Sequence, residues 1–139
     1  MHVQNILKVK GNAVATIHPD ASLADATASL RDHGVGALVV SSDGRTIVGI
    51  VSERDVVRAL AAHGGSTLGR DVASAMSTTV TTCHAHDTVD QLMSTMTEHR
   101  VRHVPVVDDA GRLEGIISIG DVVKARVGQL ETENNQLHD

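Results

Sequence analysis

The sequence predicts an α+β fold of two βαββα repeats packed about a pseudo-twofold axis, and three observations lead there. Shifting the 139-residue chain by 66 residues aligns residues 7–60 with 73–126 without a gap, and fourteen of those 54 positions are identical. The identities include His18/His84, His33/His99, Val40/Val106, Gly49/Gly115, Ser52/Ser118, Asp55/Asp121 and Val56-Val57/Val122-Val123. The order of hydrophobic patterns also repeats, from a β-prone run through a helical period and two short apolar runs to a second helical period. Finally, one such unit has too little surface to bury its own sheet, so two must pack together. The cleft between them is the natural place for a ligand.

The elements follow in order. Ala13 to Ile17 and Thr79 to Cys83 read as short strands, each leading into a turn with Pro19-Asp20 or His86-Asp87. In the following helix Ser22 and Asp25 suit a capping box, Leu23, Ala26 and Leu30 share a face, and Gly34 sits where a C-terminal cap belongs. Val89, Leu92, Met93 and Met96 repeat that face. Strands are predicted over 35–41 and 46–51, and over 101–107 and 113–117, each pair joined across an Asp/Gly turn. A last helix starts at Ser52 or Ser118. The predicted boundaries are 1–66 for the first repeat, 67–126 for the second and 127–139 for a helical tail, where Leu130 and Leu137 stand one heptad apart.

Composition excludes several functions. Twelve Lys and Arg against 17 Asp and Glu give a formal net charge of −5, and the chain holds no Phe, Trp or Tyr. An acidic chain without aromatic stacking platforms is a poor nucleic-acid binder. Apolar runs such as Val35 to Val40 are far shorter than the roughly 20 residues that cross a bilayer, and no apolar leader follows Met1. Cys83 is the sole cysteine, so neither an internal disulfide nor a Cys-based zinc site is available. The expectation is a cytoplasmic protein without membrane or nucleic-acid partners.

The residues richest in chemistry are Gly49 to Asp55 and their repeat, Gly115 to Asp121. In each a strand ends at a Ser and a helix begins, and free amides with the helix dipole favour an anion there. A carboxylate one turn in suits the hydroxyls of a ribose. The same Ser-x-x-Asp spacing is also a capping box, in which Ser52 and Asp55 satisfy each other's backbone donors. Spacing leaves both readings open. His99 and His103 lose a shared helical face at the predicted helix-to-strand change, which counts against a metal site. Cys83 and His84 point to opposite strand faces, which counts against a nucleophile and its base.

These motifs, with Thr16-Ile17-His18-Pro19-Asp20, Val35 to Val40 and Val101 to Asp108, resemble a tandem pair of cystathionine β-synthase-type domains, the CBS pair or Bateman module, over about residues 3 to 126. The resemblance implies a regulatory module, not an enzyme, that binds an adenosine-containing ligand and commonly forms a homodimer. It places Asp55 and Asp121 at ribose positions, with Ser52 and Ser118 near the ribose and phosphates. Asn12, Ala13, Val35 and Gly36 would face the adenine beside Asp121, and Thr78, Thr79, Val101 and Arg102 would serve Asp55. Arg102, His103 and Arg54 match or adjoin phosphate-binding positions, and the implied phosphorylated ligand sits at Asp121 with Arg102 and His103 facing it. No catalytic cofactor is implied. AMP is the expected ligand, with ADP, ATP or NAD as further candidates and S-adenosylmethionine as a rival. A regulated protein partner is implied as well. Two other classes stay open: a structural adaptor with unoccupied clefts, and a small enzyme that uses a bound nucleotide as substrate.

Overall fold

The structure, a computed structural model, describes residues 1–138, without the side chains of Leu137 and His138. The first unit contains β1 (Thr16–Ile17), α2 (Leu23–His33), β2 (Ala37–Val40), β3 (Gly49–Ser52) and α3 (Glu53–His63), preceded by a helix α1 (Val3–Lys10). The second contains α4 (Val89–His99), β4 (His103–Val107), β5 (Leu113–Ser118) and α5 (Ile119–His138). β1 pairs parallel to β2 and β2 antiparallel to β3, while β4 and β5 form an antiparallel pair. This is the expected α+β architecture.

Local chemistry explains the helix boundaries. Ser22 Oγ accepts from the Asp25 amide at 3.0 Å, and Thr88 and Gln91 cap each other reciprocally at α4. Gly34 closes α2 in the left-handed region at φ 63°. At the matching end of α4 the left-handed residue is Arg100, φ 55°.

The predicted first strands shrink. Of Ala13 to Ile17 only Thr16–Ile17 is strand, and Thr79 to Cys83 contributes a single parallel bridge between Cys83 and Val106. The preceding linker is used elsewhere: Ser77 and Ile50 exchange amide hydrogen bonds of 2.9 and 3.0 Å, which extends the first sheet past β3. The tail, in turn, is no separate element, since α5 runs continuously through residue 138. The predicted heptad partner Leu137 has its side chain outside the described residues.

Sequence order and packing order cross over. The first core gathers Leu23, Leu30, Leu38, Val40, Val51 and Val56, and is closed by Val72 from the linker. The second gathers Val89, Leu92, Met96, Val104, Ile117 and Val122, and is closed by Val3, Ile6 and Leu7 of α1. Each unit is thus sealed by the segment that precedes the other. The sequence reading did not place the helix α1, although Val3, Ile6, Leu7 and Lys10 fall at the spacing of one helical face.

This sealing needs glycine at two pseudo-equivalent points. A Cβ on Gly49 would lie 2.7 Å from the Ser77 carbonyl oxygen and 2.8 Å from Met76 Sδ, whereas one on Gly115 would meet only the Leu7 side chain, at 2.7 Å. A side chain can rotate away, and a hydrogen-bonded backbone cannot. Gly49→Ala is therefore expected to cost about 1–3 kcal/mol and clearly more than Gly115→Ala, as read from urea unfolding of both variants.

Candidate functional site

The inter-unit cleft holds a cavity of about 310 Å³ on the Asp55 side. One wall comes from Gly36, Ala37, Ile50 and the start of α3, and the other from Ser77, Thr79 to Thr81 and Arg100 to His103. Both units therefore contribute.

At the start of α3 the capping box forms. The Ser52 amide donates to Asp55 Oδ2 at 2.8 Å, its hydroxyl lies 3.1 Å from the same oxygen, and the Asp55 amide donates to Ser52 Oγ at 3.3 Å. Asp55 nonetheless lines the cavity, and the cap engages Oδ2 alone, so capping and ligand contact are compatible. Gly36 permits a close approach, because a Cβ there would sit 3.0 Å from Glu53 Oε1 and 3.2 Å from His103 Nε2. Within each unit an equivalent bond holds the corner together, Glu53 amide to Gly36 carbonyl at 3.0 Å in the first and Ile119 amide to Arg102 carbonyl at 2.8 Å in the second.

Charge is the distinctive property. Arg54, Arg58, Arg100 and Arg102 line the cavity against the two carboxylates of Glu53 and Asp55. Among the described residues none of these four guanidiniums forms an ion pair, so their donors are left for an anion. Burial, then the Lys10 and Arg102 charges, hold His103 below its ordinary pKa against the pull of Glu53 and Asp121. Ile50, Val80 and Val101 supply apolar wall.

Of the residues singled out from sequence, Gly36, Ser52, Arg54, Asp55, Thr79, Val101, Arg102 and His103 line this cavity, while Asn12, Ala13, Val35, Thr78, Ser118 and Asp121 do not. Val35 instead borders a separate groove with Thr27, Leu30 and Val57. Arg102 and His103 line the cavity at Asp55, His103 also lies near enough to Asp121 to feel its charge, and Asp121 itself is engaged by Lys10. The Lys10 ammonium donates to Asp121 Oδ2 at 2.6 Å and to the Ile116 carbonyl at 2.8 Å. Burial pushes the Asp121 carboxyl up, but Lys10 and the Ser118 amide outweigh it and hold the group below its usual range. Sequence reading missed Glu53, Arg58 and Arg100. Arg58 was accessible as the residue one turn after Arg54, whereas Arg100 reaches the cavity only because it caps α4.

Arg100 carries an expected trade. A non-glycine residue in the left-handed region costs on the order of 1 kcal/mol. Arg100→Gly should therefore raise thermal stability by a few degrees while weakening any anion bound in the cavity, as thermal unfolding and titration of the same variant would read.

Cys83 is buried in the second core, where burial and then Asp87 push its thiol up to about 12. It is a packed thiol and not a nucleophile.

The family follows from this fold and cleft together. The CBS domain model matches residues 9–62 and 70–128, and the chain belongs to the CBS-domain family. It is 48% identical to a CBS-domain containing protein from Agrobacterium tumefaciens, with a TM-score of 0.85 over 90% of this chain and 92% of that one. Two similar structures carry ligands. A CBS domain protein from Pyrobaculum aerophilum complexed with AMP is 27% identical, with a TM-score of 0.77 over 87% of this chain and 89% of that one. A CBS domain pair in complex with 5′-methylthioadenosine and S-adenosyl-L-methionine is 28% identical, with a TM-score of 0.81 over 93% of this chain and 98% of that one. Adenosine-containing ligands thus bind CBS pairs of this shape.

Proposed function

We propose that this protein is a regulatory module that binds an adenine nucleotide in the Asp55 cavity and signals occupancy to a partner protein by changing the relative orientation of its two units. The carrying observation is the set of guanidiniums from Arg54, Arg58, Arg100 and Arg102, none of them in an ion pair among the described residues, around the Glu53 and Asp55 carboxylates at a helix start. Phosphates match that field, and the sulfonium of S-adenosylmethionine does not. Asp55 takes the ribose, and Ile50, Val80 and Val101 flank the base without an aromatic ring. A ligand held by both units shifts their orientation only if it binds one orientation better.

The module works as a homodimer in this reading. Ile119, Val123, Val127 and Leu130 place an exposed apolar stripe along α5, and Val57 and Leu60 do so on α3. Covering these two faces with a second copy removes apolar surface from water.

The test is thermal unfolding, followed by circular dichroism, with AMP, ADP, ATP, NAD and S-adenosylmethionine against a GMP control. A ligand at 100 times its Kd adds about 2.7 kcal/mol, a shift of several degrees. A selective shift with a phosphorylated adenosine supports the reading. A shift with S-adenosylmethionine alone transfers the site to that ligand, and no shift with any of them favours an adaptor whose surface alone matters.

A further inference from the structure

The two Ser-x-x-Asp corners are matched in sequence but not in what stands in front of them. At the first corner Asp55 touches Ser52 and opens onto the cavity. At the second, Asp121 Oδ2 carries the Lys10 ammonium at 2.6 Å in addition to the Ser118 amide at 2.8 Å. Both partners of this ion pair are partly buried, with side-chain exposures of 31% and 22%.

The repeat supplies an internal control. The residue 66 positions after Lys10 is Met76, which carries no charge and packs beside Gly49. The carbonyl of Ile50 is satisfied by the Ser77 amide at 2.9 Å, and its counterpart on Ile116 is satisfied by the Lys10 ammonium at 2.8 Å. One side chain therefore does at the second corner what linker backbone does at the first, and in reaching that carbonyl it also neutralises Asp121.

We propose that Lys10 is a tethered cation that closes the second of two pseudo-equivalent ligand corners, so that each chain takes one nucleotide, at Asp55, and gains a second site only when Lys10 is withdrawn. This rests on the reading of the Asp55 cavity as a nucleotide site. A nucleotide entering at Asp121 has to displace an intramolecular partner already held by two bonds and opposite charge, whereas one entering at Asp55 displaces only water from the cavity face of the carboxylate. Lys10 thereby sets the stoichiometry.

The experiment is calorimetric titration of AMP into the full chain as wild type, Lys10→Met, which copies the first repeat, and Lys10→Gln, which keeps a neutral donor for the Ile116 carbonyl. About one AMP per chain is expected for the wild type and about two for each variant, with the added site lost again when Asp121→Ala is combined with the Lys10 substitution. Two AMP per chain in the wild type overturns the proposal, as does one in the variants. A Lys10 that is merely structural would lower the unfolding temperature of the free protein without changing the stoichiometry. If Lys10→Met fails to fold by circular dichroism, Lys10→Gln decides by the same criterion. The underlying reading fails differently, by the absence of AMP binding in every protein tested.

Discussion

Replacing Ile6 and Leu7 together by alanine should lower the unfolding temperature by more than about 10 °C, although both residues precede the first repeat's sheet. They are 5% and 6% exposed and belong to the core of the second unit. Truncating a buried Leu or Ile to Ala costs about 2–5 kcal/mol, so the pair consumes much of the roughly 5–15 kcal/mol that holds a domain of this size. The two are neighbours and share a cavity, so the combined cost is not the simple sum of the single ones. Val9, on the same helix and 85% exposed, provides the control, and Val9→Ala should stay within about 0.5 kcal/mol of wild type. Thermal and chemical unfolding of these two variants beside the wild type decide the matter. Equal effects from Val9 and from the Ile6 and Leu7 pair would mean that α1 does not seal the second core.

Arg102→Ala should weaken AMP binding by about 10- to 100-fold and leave the stability of the free protein nearly unchanged. A hydrogen bond to a charged group contributes about 1.5–3 kcal/mol, and each 1.4 kcal/mol is tenfold in affinity. In the free protein Arg102 is exposed and forms no ion pair among the described residues, so nothing in the fold depends on its charge. Removing it also relieves repulsion from Arg54, Arg58 and Arg100, which line the same cavity. Arg102→Lys should recover only part of the affinity, because a lysine restores the charge without the two-pronged geometry. Raising the salt concentration should weaken the wild type more than the alanine variant, since an exposed cation loses its attraction within about 8 Å at physiological ionic strength. Titration of the three proteins with AMP at two salt concentrations checks each statement, and unchanged affinity in Arg102→Ala would remove the phosphate from this wall of the cavity.

Much of this was set by the sequence alone, because it depends on neighbours along the chain. A Ser or Thr three residues before an Asp or Gln starts α3, α4 and α5, a glycine in the left-handed region stops α2, and the 66-residue repeat fixes the order of strands and helices. The two Ser-x-x-Asp corners were visible for the same reason, whereas the pairing of Asp55 with Thr79, Val101 and Arg102 across the cleft was implied only by the resemblance to the CBS pair. What differs between the corners was decided by the tertiary structure. The contact that distinguishes them joins Lys10 and Asp121, 111 residues apart, and no periodicity or cap relates residues at that separation. The same holds for the seal on each core. Which of two equivalent hydrophobic faces α1 covers is settled by the path of the chain and by what Gly115 leaves room for, and that is a property of three-dimensional packing.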